Sequence, residues 1–524
     1  MTQGASRERR PVMLDVEEAG MRRGRRADSC AIVIFGASGD LARRELFPSL
    51  FELYMKGLLP AAFAVIGVAR EQLDDDQFRQ RMRENVMKAV TCDEGDWNEF
   101  ASRIGYVQAD VVAAAEEGYA AVSERFEQVR AELALDDNVL FHLAVPPSLF
   151  STIASGLGSS GLATPRSGWR RLVVEKPFGT NRESARELDV QLRQVFDEEQ
   201  IYRVDHFLGK ETVQNMLVFR FANPAYEPVW NRNYIDHVQI TVAEDIGIGT
   251  RANFYEQTGV VRDMLQNHLL QLLCMTAMEP PVRFDAASLR DETVKVLAAV
   301  RPIAAGIDSG AVRGQYGAGS VGGEPVAGYR DEKGVPDDSL TSTYAAVRLM
   351  LDNWRWAGVP FYLRTGKRMT RKLTEVAIHF KPTPYVMFPP EDGRAVHQSV
   401  LVFELQPDEG IVQALGAKQP GPDLAVRTVT MRFDYAEAFG VEEPPSAYAW
   451  LLLDAMQGDQ TLFARSDWVD RAWQIVDPIV ERWSKEGPSD FPNYEAGSAG
   501  PQAADRLLAR DGRKWRKLEA GELA

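Results

Sequence analysis

The folded part of the chain opens with an apolar strand that runs directly into a glycine-rich turn and a helix. Residues 31–35 read AIVIF, a run typical of a buried parallel strand. Residues 36–42 read GASGDLA, and a helix is predicted from there to Lys56, with a disturbance at Pro48. A strand, a glycine turn and a helix N-terminus form the phosphate-binding start of a dinucleotide fold. The glycine spacing is not the usual G-x-G-x-x-G, so an ordinary strand-to-helix turn is the alternative.

Strands and helices then alternate through the N-terminal part of the chain. Strands are predicted near 63–68, 104–107, 139–145 and 172–174, and helices over 74–90 and 112–133. Such alternation predicts a Rossmann-like α/β domain with a mostly parallel sheet. Doubly wound sheets bind ligands at the carboxyl ends of their strands, where this chain places Pro146 and Lys176.

The end of the second predicted strand indicates which dinucleotide is bound. NAD-specific folds place an acidic residue there for the ribose hydroxyls, whereas this strand runs through Val68 and Ala69 to Arg70. A guanidinium suits a 2′-phosphate because it makes paired, charge-assisted hydrogen bonds. The sequence therefore favours NADP, with NAD tolerated. The alternative is that Arg70 is merely exposed.

The stretch at residues 203–210 combines an acid, a histidine and two cations. If residues 201–207 form a strand, Asp205 and His206 point in opposite directions and serve different tasks. His206 and Lys210 suit an anionic ligand, and Asp205 can orient another residue. A solvated turn with incidental charges is the alternative.

The candidate base is a histidine on the inward face of a mid-chain helix. Thr258 is predicted to cap this helix, whose apolar stripe includes Val261 and Met264 together with His268. A lone histidine on such a face is more often a core residue with one hydrogen bond. It becomes a candidate base if a carboxylate is aimed at it, and Asp205 is the obvious supplier.

The C-terminal part of the chain predicts a different architecture. A helix over 210–221 and a strand over 236–245 come first, and the glycine-rich, aperiodic residues 305–336 predict a flap. Further strands are predicted at 344–351, 359–363, 375–380, 400–405 and 426–433, and helices at 446–457 and 468–485. Because few helical patterns separate these strands, the sheet should be mainly antiparallel, with a helical layer or a partner subunit on its other face.

The predicted fold class is a Rossmann-like α/β domain followed by an α+β domain with a large, mainly antiparallel sheet. The predicted parts are a disordered basic tail (1–29), a dinucleotide-binding domain (30–204), a substrate and oligomerisation domain (205–500) and a C-terminal tail (501–524).

Composition limits the partners and the compartment. The formal net charge is −15, so a nucleic-acid footprint is not expected. The three cysteines, Cys30, Cys92 and Cys274, are scattered, which suits a reducing compartment and offers no metal-ligand spacing. No apolar run approaches the ~20 residues of a membrane span, and the arginine-rich start has no apolar export segment. We therefore expect a cytoplasmic protein without a metal.

Taken together, the motifs resemble the glucose-6-phosphate dehydrogenase family over about residues 31–515. They are GASGDLA at 36–42, EKPFG at 175–179, RVDHFLGKE at 203–211, the segment 262–268, and RTGK at 364–367. The resemblance implies oxidation of glucose 6-phosphate to 6-phosphogluconolactone with NADP, which opens the oxidative pentose phosphate pathway. It also implies a homodimer or homotetramer built through the large sheet.

The resemblance further implies roles for individual residues. His268 is the implied catalytic base, and Asp205 is the carboxylate that orients it. The implied substrate-binding positions are Lys176, His206, Lys210, Glu244, Asp263, Lys367 and Gln406. The implied coenzyme-binding positions are Gly36, Ser38, Gly39, Asp40, Leu41, Arg70, Ala144, Pro146 and Lys176. Many members have tyrosine where this chain has Phe207, so one hydroxyl donor to the phosphate is missing.

Two other functions fit parts of the pattern. One is a related NAD(P)-dependent sugar dehydrogenase. This function is disfavoured because His206 and Lys210 suit a phosphate group on the substrate. The other is a non-catalytic NADP-binding sensor of sugar phosphates. Such a sensor is expected to have lost His268, Asp205 or Lys176, and all three are present.

Overall fold

A computed structural model describes residues 26–303, 310–385, 387–388, 399–422, 424–440, 445–487 and 490–518. The predicted basic tail, apart from residues 26–29, therefore lies outside the described residues. The described residues form one sheet of seven strands, one of eight strands and two small sheets of two strands. The predicted pairing of a Rossmann-like domain with a large antiparallel sheet is confirmed.

The seven-stranded sheet comes mainly from the N-terminal part of the chain. Its parallel strands are β1 (Cys30–Phe35), β2 (Phe63–Ala69), β3 (Ile104–Gln108), β4 (Val139–Leu143), β5 (Arg170–Val174) and β6 (Ile201–Val204). Their order is β6-β5-β4-β1-β2-β3, and the short strand Phe463–Ala464 pairs antiparallel with β6. Successive strands are added on one side of β1 up to β3 and on its other side from β4 onward, so the strand order reverses between β1 and β4. Doubly wound sheets open a ligand crevice at such a point.

Helices connect these strands. They are α1 (Phe47–Met55), α2 (Asp75–Ala89), α3 (Glu94–Ala101), α4 (Ala115–Glu132), α5 (Phe150–Ser159) and α6 (Arg182–Arg193). A π-helical turn, Ala42–Leu46, precedes α1, and Pro48 lies at the start of α1. Proline is tolerated there because the first helical turn needs no N–H from it, so the helix continues past Pro48.

The large sheet organises the C-terminal part. Its strands are β7 (Ile235–Ala243), β8 (Ala311–Gly314), β12 (Tyr344–Met350), β13 (Pro360–Gly366), β14 (Leu373–Phe380), β15 (Val400–Gln406), β16 (Gly410–Lys418) and β17 (Val426–Asp434). The order is β17-β16-β15-β14-β7-β13-β12-β8, and every pairing is antiparallel except that of β7 with β13. The sheet is thus mainly antiparallel, as predicted.

A helical layer covers part of this sheet. The helices of the C-terminal part are α7 (Glu211–Ala222), α8 (Ala252–Val260), the π-helical segment Val261–Leu269, α9 (Leu270–Ala277), α10 (Ala286–Ala299), α11 (Tyr435–Phe439), α12 (Ala447–Gln457), α13 (Ser466–Lys485) and α14 (Gln502–Ala509). The π-helical segment packs on β7 and β13, and α7 packs on β15. The segment that carries His268 therefore lies against the large sheet.

Two segments differ from the sequence expectation. The predicted flap at 305–336 contains, besides β8, the short strands β9 (Tyr316–Gly317), β10 (Gly319–Val321) and β11 (Glu324–Val326), while 304–309 lie outside the described residues. β9 pairs with the distant strand Tyr494–Glu495, a contact that local periodicity cannot reveal.

The second difference concerns the predicted C-terminal tail. Residues 501–518 are packed, because α14 contacts β8 and the following segment lies on the large sheet. Arg513 pairs with Asp236 at 2.8 Å, and Arg516 pairs with Glu375 at 2.9 Å. Among the described residues, no helix combines the length and apolar character needed to cross a lipid bilayer.

Candidate active site

A cleft of about 620 Å³ opens at the carboxyl ends of β1, β2 and β4, where the sheet order reverses. The predicted coenzyme positions that line it are Gly36, Ser38, Gly39, Arg70, Ala144 and Pro146. Gly36 has a φ of +82°, and a Cβ atom there would lie 2.3 Å from the backbone oxygen of Ala144. Only glycine therefore fits this turn.

The other predicted coenzyme positions, Asp40, Leu41 and Lys176, do not line this cleft. Asp40 is exposed and forms an ion pair with Arg43. Leu41 precedes the π-helical turn and makes no side-chain cap, so backbone N–H groups at the start of that turn are left for a ligand. Lys176 faces His268 instead.

The residues of this cleft fit a dinucleotide. A glycine turn at the switch point leads into a helical start without a side-chain cap, which is the arrangement that receives a pyrophosphate. Arg70 follows β2 and lines the cleft, and a guanidinium of this kind suits a 2′-phosphate.

His268 and Asp205 meet, although 63 positions separate them in sequence. Nδ1 of His268 lies 2.7 Å from Oδ1 of Asp205, and both side chains are buried. The carboxylate fixes the ring as the Nδ1–H tautomer, because a carboxylate accepts the proton of the nitrogen that it faces. Nε2 of His268 is thereby left with a lone pair.

The helix around His268 does not begin at Thr258, so the prediction of a cap at this residue is wrong. α8 already starts at Ala252, and the chain bends at Gly259, which has a φ of +57° and a ψ of 175°. The hydroxyl of Thr258 donates to the backbone oxygen of Phe254 inside α8, at 2.7 Å. The bend allows the π-helical segment to turn His268 toward Asp205.

The condition for Asp205 and His206 to point in opposite directions, a strand over residues 201–207, is not met. β6 ends at Val204, so the alternation of a strand does not extend to these two residues. Asp205 bonds to His268, and the ring of His206 lies 4.7 Å from the ring of His268. Both residues therefore belong to one cluster.

Lys176 approaches the free nitrogen of the histidine. Its Nζ lies 2.6 Å from Nε2 of His268, and it also reaches the backbone oxygen and the carboxylate of Asp263 at 3.3 and 3.5 Å. The ammonium can donate to Nε2 because Nδ1 carries the ring proton. A substrate hydroxyl that displaces the ammonium of Lys176 could therefore donate its hydrogen bond to Nε2 of His268.

Burial and neighbouring charges set the protonation of the pair. Burial lowers the pKa of His268, Asp205 opposes this effect and Lys176 adds to it, so the ring is neutral at neutral pH. Burial by itself raises the pKa of Asp205, but His268, His206 and Lys176 together bring that pKa well below its ordinary value. A neutral histidine beside an ionised carboxylate is the state of a general base.

The predicted phosphate-binding residues lie beside this pair. The ring of Phe207 stacks on the ring of His268, with 4.1 Å between their centroids. The ammonium of Lys210 lies 3.7 Å from the centroid of the same Phe207 ring. Burial, followed by the charge of Lys372, lowers the pKa of Lys210 to about 7. Burial also lowers the pKa of His206 well below the ordinary value of a histidine, so this ring is neutral until an anion binds.

The remaining predicted substrate positions come from the large sheet and the π-helical segment. Lys367, next to β13, pairs with Glu244, next to β7, at 2.7 Å. Burial raises the pKa of Asp263, but Lys176 and Lys367 together lower it to about 2. Gln406 ends β15, where it pairs with Thr374, and its part in substrate binding stays a prediction.

Three side chains for which the sequence predicts no role in the site also support the cluster. Glu175 bonds to His142 at 3.1 Å and accepts from the hydroxyl of Tyr448 at 3.3 Å. Tyr448 lies parallel to the ring of His206 at 6.3 Å. Glu175 was visible beside Lys176, but nothing local in the sequence indicates the long-range contact with Tyr448.

Asp205, His206 and His268 also bring potential metal-ligand atoms within 4.8 Å of one another. The bond between Asp205 and His268 accounts for this proximity without an ion, since it uses the facing oxygen and nitrogen.

Comparison with known proteins supports one family over nearly the whole chain. The family description "Glucose-6-phosphate dehydrogenase, NAD binding domain" matches residues 33–215, and its "C-terminal domain" matches residues 217–516. The chain is 48% identical to "Glucose-6-phosphate 1-dehydrogenase" of Aggregatibacter actinomycetemcomitans over 94% of this chain and 98% of the relative. It is 44% identical to "Glucose-6-phosphate 1-dehydrogenase 2" of Mycobacterium bovis over 94% of this chain and 95% of the relative.

Solved structures give the same result. A glucose-6-phosphate dehydrogenase "in complex with its substrate glucose-6-phosphate" superposes with a TM-score of 0.86 at 36% identity, covering 94% of this chain and 100% of that one. The enzyme from Mycobacterium avium superposes with a TM-score of 0.79 at 37% identity, covering 93% and 99%. The chain therefore belongs to the glucose-6-phosphate dehydrogenase family.

Proposed function

We propose that the protein oxidises glucose 6-phosphate to 6-phosphogluconolactone, with NADP as the hydride acceptor and NAD tolerated. This reaction is the first step of the oxidative pentose phosphate pathway. The observation that carries the proposal is the buried pair of Asp205 and His268 at 2.7 Å, next to three lysines in a family whose relatives bear this enzyme's name. Those lysines are Lys176, Lys210 and Lys367.

Oxidation of a cyclic hemiacetal removes the proton of the anomeric hydroxyl and a hydride from the carbon that carries this hydroxyl. Nε2 of His268 accepts the proton of the anomeric hydroxyl as the carbonyl of the lactone forms. Asp205 stabilises the imidazolium that results, because its carboxylate faces the protonated Nδ1. Bound NADP supplies the nicotinamide that takes the hydride.

Substrate binding requires Lys176 to give up part of its contact with His268. Its present bond to Nε2, at 2.6 Å, holds the position that the anomeric hydroxyl must take. Asp263 is within 3.5 Å and remains a partner for the ammonium after this exchange. Lys176 then donates to the sugar while His268 receives the proton.

The phosphate of the substrate is assigned to His206 and Lys210. Lys210 lies against Phe207, which also stacks on His268, so a phosphate held there places the sugar beside the base. A phosphate raises the pKa of both groups by its charge and so restores the cations that burial weakens. This arrangement predicts selection for the phosphorylated sugar.

The direct test is to follow the reduced nicotinamide by absorbance with glucose 6-phosphate or glucose and with NADP or NAD. We expect rapid turnover with glucose 6-phosphate and little with glucose. His268→Asn should lower kcat by on the order of 10²–10⁴ while substrate binding persists. Absence of turnover with every pair would refute the proposed reaction, and near-normal kcat in His268→Asn would remove the base from its role.

We also propose that the protein is a homodimer or homotetramer built through the large sheet. β17 is an edge strand, and on one of its faces Val429, Met431 and Phe433 are exposed by 39%, 55% and 37%. Alternate residues of a strand share one face, and an exposed apolar face of this kind is typical of a subunit contact.

Light scattering after size-exclusion chromatography tests this contact. Met431→Lys should reduce the measured mass to that of a smaller species, because it places a charge in the apolar face. The matched control is Thr430→Lys, which adds the same charge on the opposite, exposed face of β17. A monomeric wild-type protein, or equal effects of the two variants, would contradict the proposed interface.

We place the protein in the cytoplasm. Cys30, Cys92 and Cys274 are free thiols, as expected in a reducing compartment. Cell fractionation should recover the activity with cytoplasmic markers, and recovery from the culture medium would contradict this location.

A further inference from the structure

A carboxylate lies beside the arginine that is expected to hold the 2′-phosphate. β2 ends at Ala69, and both Arg70 and Glu71 line the coenzyme cleft at its carboxyl end. The side chain of Glu71 is 43% exposed, so a bound coenzyme can reach it. A carboxylate after the second strand is the group that accepts the ribose hydroxyls of NAD in dinucleotide folds.

Glu71 is held in place by Arg81 and Tyr106, neither of which lines the cleft. Arg81, on α2, contacts both of its carboxylate oxygens with the two arms of the guanidinium, one of them at 2.7 Å. The hydroxyl of Tyr106 donates to the backbone oxygens of Glu71 and Ala69, at 2.7 and 3.2 Å. A paired guanidinium uses one lone pair of each carboxylate oxygen, which leaves further lone pairs for a ligand.

The charges that line the cleft do not form a purely cationic pocket. Among the described lining residues, the charged side chains are Arg70, Glu71 and Asp110. Asp110 is engaged with the backbone N–H groups of Val112 and Ala113 at 3.1 and 2.9 Å. The bond to Arg81 lowers the pKa of Glu71, so this carboxylate is ionised beside the guanidinium of Arg70.

We propose that Glu71 sets the coenzyme preference by accepting a hydrogen bond from the adenosine ribose of NAD and by repelling the 2′-phosphate of NADP. Arg70 and Glu71 then act in opposition, and the protein uses both coenzymes with a smaller preference for NADP than Arg70 alone would produce. Arg81 is a positioning residue, since it holds the carboxylate of Glu71 and does not itself line the cleft. The inference rests on the proposed coenzyme site and deepens it.

The test is Glu71→Gln, which keeps the size of the side chain and removes its charge. Binding of NAD and of NADP to the full-length protein is measured by titration calorimetry without sugar, and kcat/KM is measured for each coenzyme with glucose 6-phosphate. We expect the ratio of NADP affinity to NAD affinity to rise about tenfold, equivalent to about 1.4 kcal/mol, with weaker NAD binding as the larger part. The ratio of the two kcat/KM values should rise by a similar factor.

Glu94→Gln is the matched control. Glu94 is a surface carboxylate that pairs with Arg83, on the same helix as Arg81, and it does not line the cleft. This variant should leave both ratios unchanged. A ratio in Glu71→Gln within about twofold of that of the wild type, or an equal shift in Glu94→Gln, would overturn the role of Glu71. Failure of the proposed reaction would be a separate result: the wild type would bind coenzymes but not oxidise the sugar phosphate. The calorimetric affinities for NAD and NADP would still test the role of Glu71 in that case.

Discussion

Replacing Asp205 with asparagine isolates the charge of the carboxylate that faces the base. Oδ1 of Asp205 lies 2.7 Å from Nδ1 of His268 and accepts the N–H of Phe207 at 3.0 Å. Because this N–H needs an acceptor, the amide oxygen of the variant should occupy the Oδ1 position. His268 then keeps its Nδ1–H tautomer, and the substitution tests the charge rather than the orientation of the ring.

The expected loss follows from the change in that one bond. The imidazolium formed in the transition state exchanges a hydrogen bond to a carboxylate, which contributes roughly 1.5–3 kcal/mol, for one to a neutral amide oxygen, which contributes roughly 0.5–1.5 kcal/mol. The difference of about 1–1.5 kcal/mol should lower kcat roughly 5- to 15-fold. KM for glucose 6-phosphate should stay within about threefold, because Asp205 faces the base and not the phosphate group. The pKa that describes the acidic limb of the rate–pH profile should fall in the variant, since the charge of Asp205 raises the pKa of His268.

The variant should also be less stable. Oδ2 of Asp205 is buried and has no hydrogen-bond partner among the described residues, so the amide N–H₂ placed there has no acceptor. An unsatisfied buried donor costs about 1–3 kcal/mol. A urea unfolding curve measures this loss separately from kcat.

Initial rates between about pH 5 and 9 provide the assay, with absorbance of the reduced coenzyme as the signal. The matched control is Asp236→Asn, because Asp236 faces Nδ1 of His237 at the same distance of 2.7 Å, at the start of β7, and makes no bond to His268. The control should keep its kcat. The reasoning is refuted if kcat of Asp205→Asn stays within about threefold of that of the wild type, or if the control loses as much.

The remaining predictions concern the two anion-binding positions and the buried histidines. Arg70→Ala should lower kcat/KM for NADP at least about tenfold with little effect for NAD, since a charged contact contributes roughly 1.5–3 kcal/mol; equal losses would contradict the assignment. Because the pKa of Lys210 is about 7 without an anion, KM for glucose 6-phosphate should rise as the pH increases above that value. Lys210→Ala should raise KM and remove this pH dependence, and an unchanged preference for the phosphorylated sugar would contradict its role. Burial lowers the pKa of His379, so below about pH 6.5 this side chain takes up a proton in the unfolded chain but not in the native protein. This difference should lower the free energy of unfolding by up to about 1.4 kcal/mol for each pH unit below that value. Urea unfolding at about pH 7.5 and 5.5 measures this slope, which His379→Phe should reduce.

Local patterns were sufficient to predict much of the N-terminal domain. A buried parallel strand is a continuous apolar run, so the composition of β1, β2 and β4 predicts them, and the glycine turn after β1 indicates a coenzyme site. The same reasoning failed where distant parts of the chain decide the conformation. Thr258 looks like a helix cap, but it lies at the end of the helix that starts at Ala252, directly before the bend at Gly259.

The sequence by itself determined the order of strands and helices, the glycine turn and the types of residue available for acid–base chemistry, because these depend on neighbours along the chain. Tertiary structure alone decided that Asp205 and Lys176 occupy the two nitrogens of one imidazole, across 63 and 92 positions. Likewise, only the packing of α2 against the end of β2 shows that Arg81 fixes Glu71 beside Arg70. Bond distances, tautomers and shifted pKa values depend on which groups share a buried volume, and no local pattern contains that information.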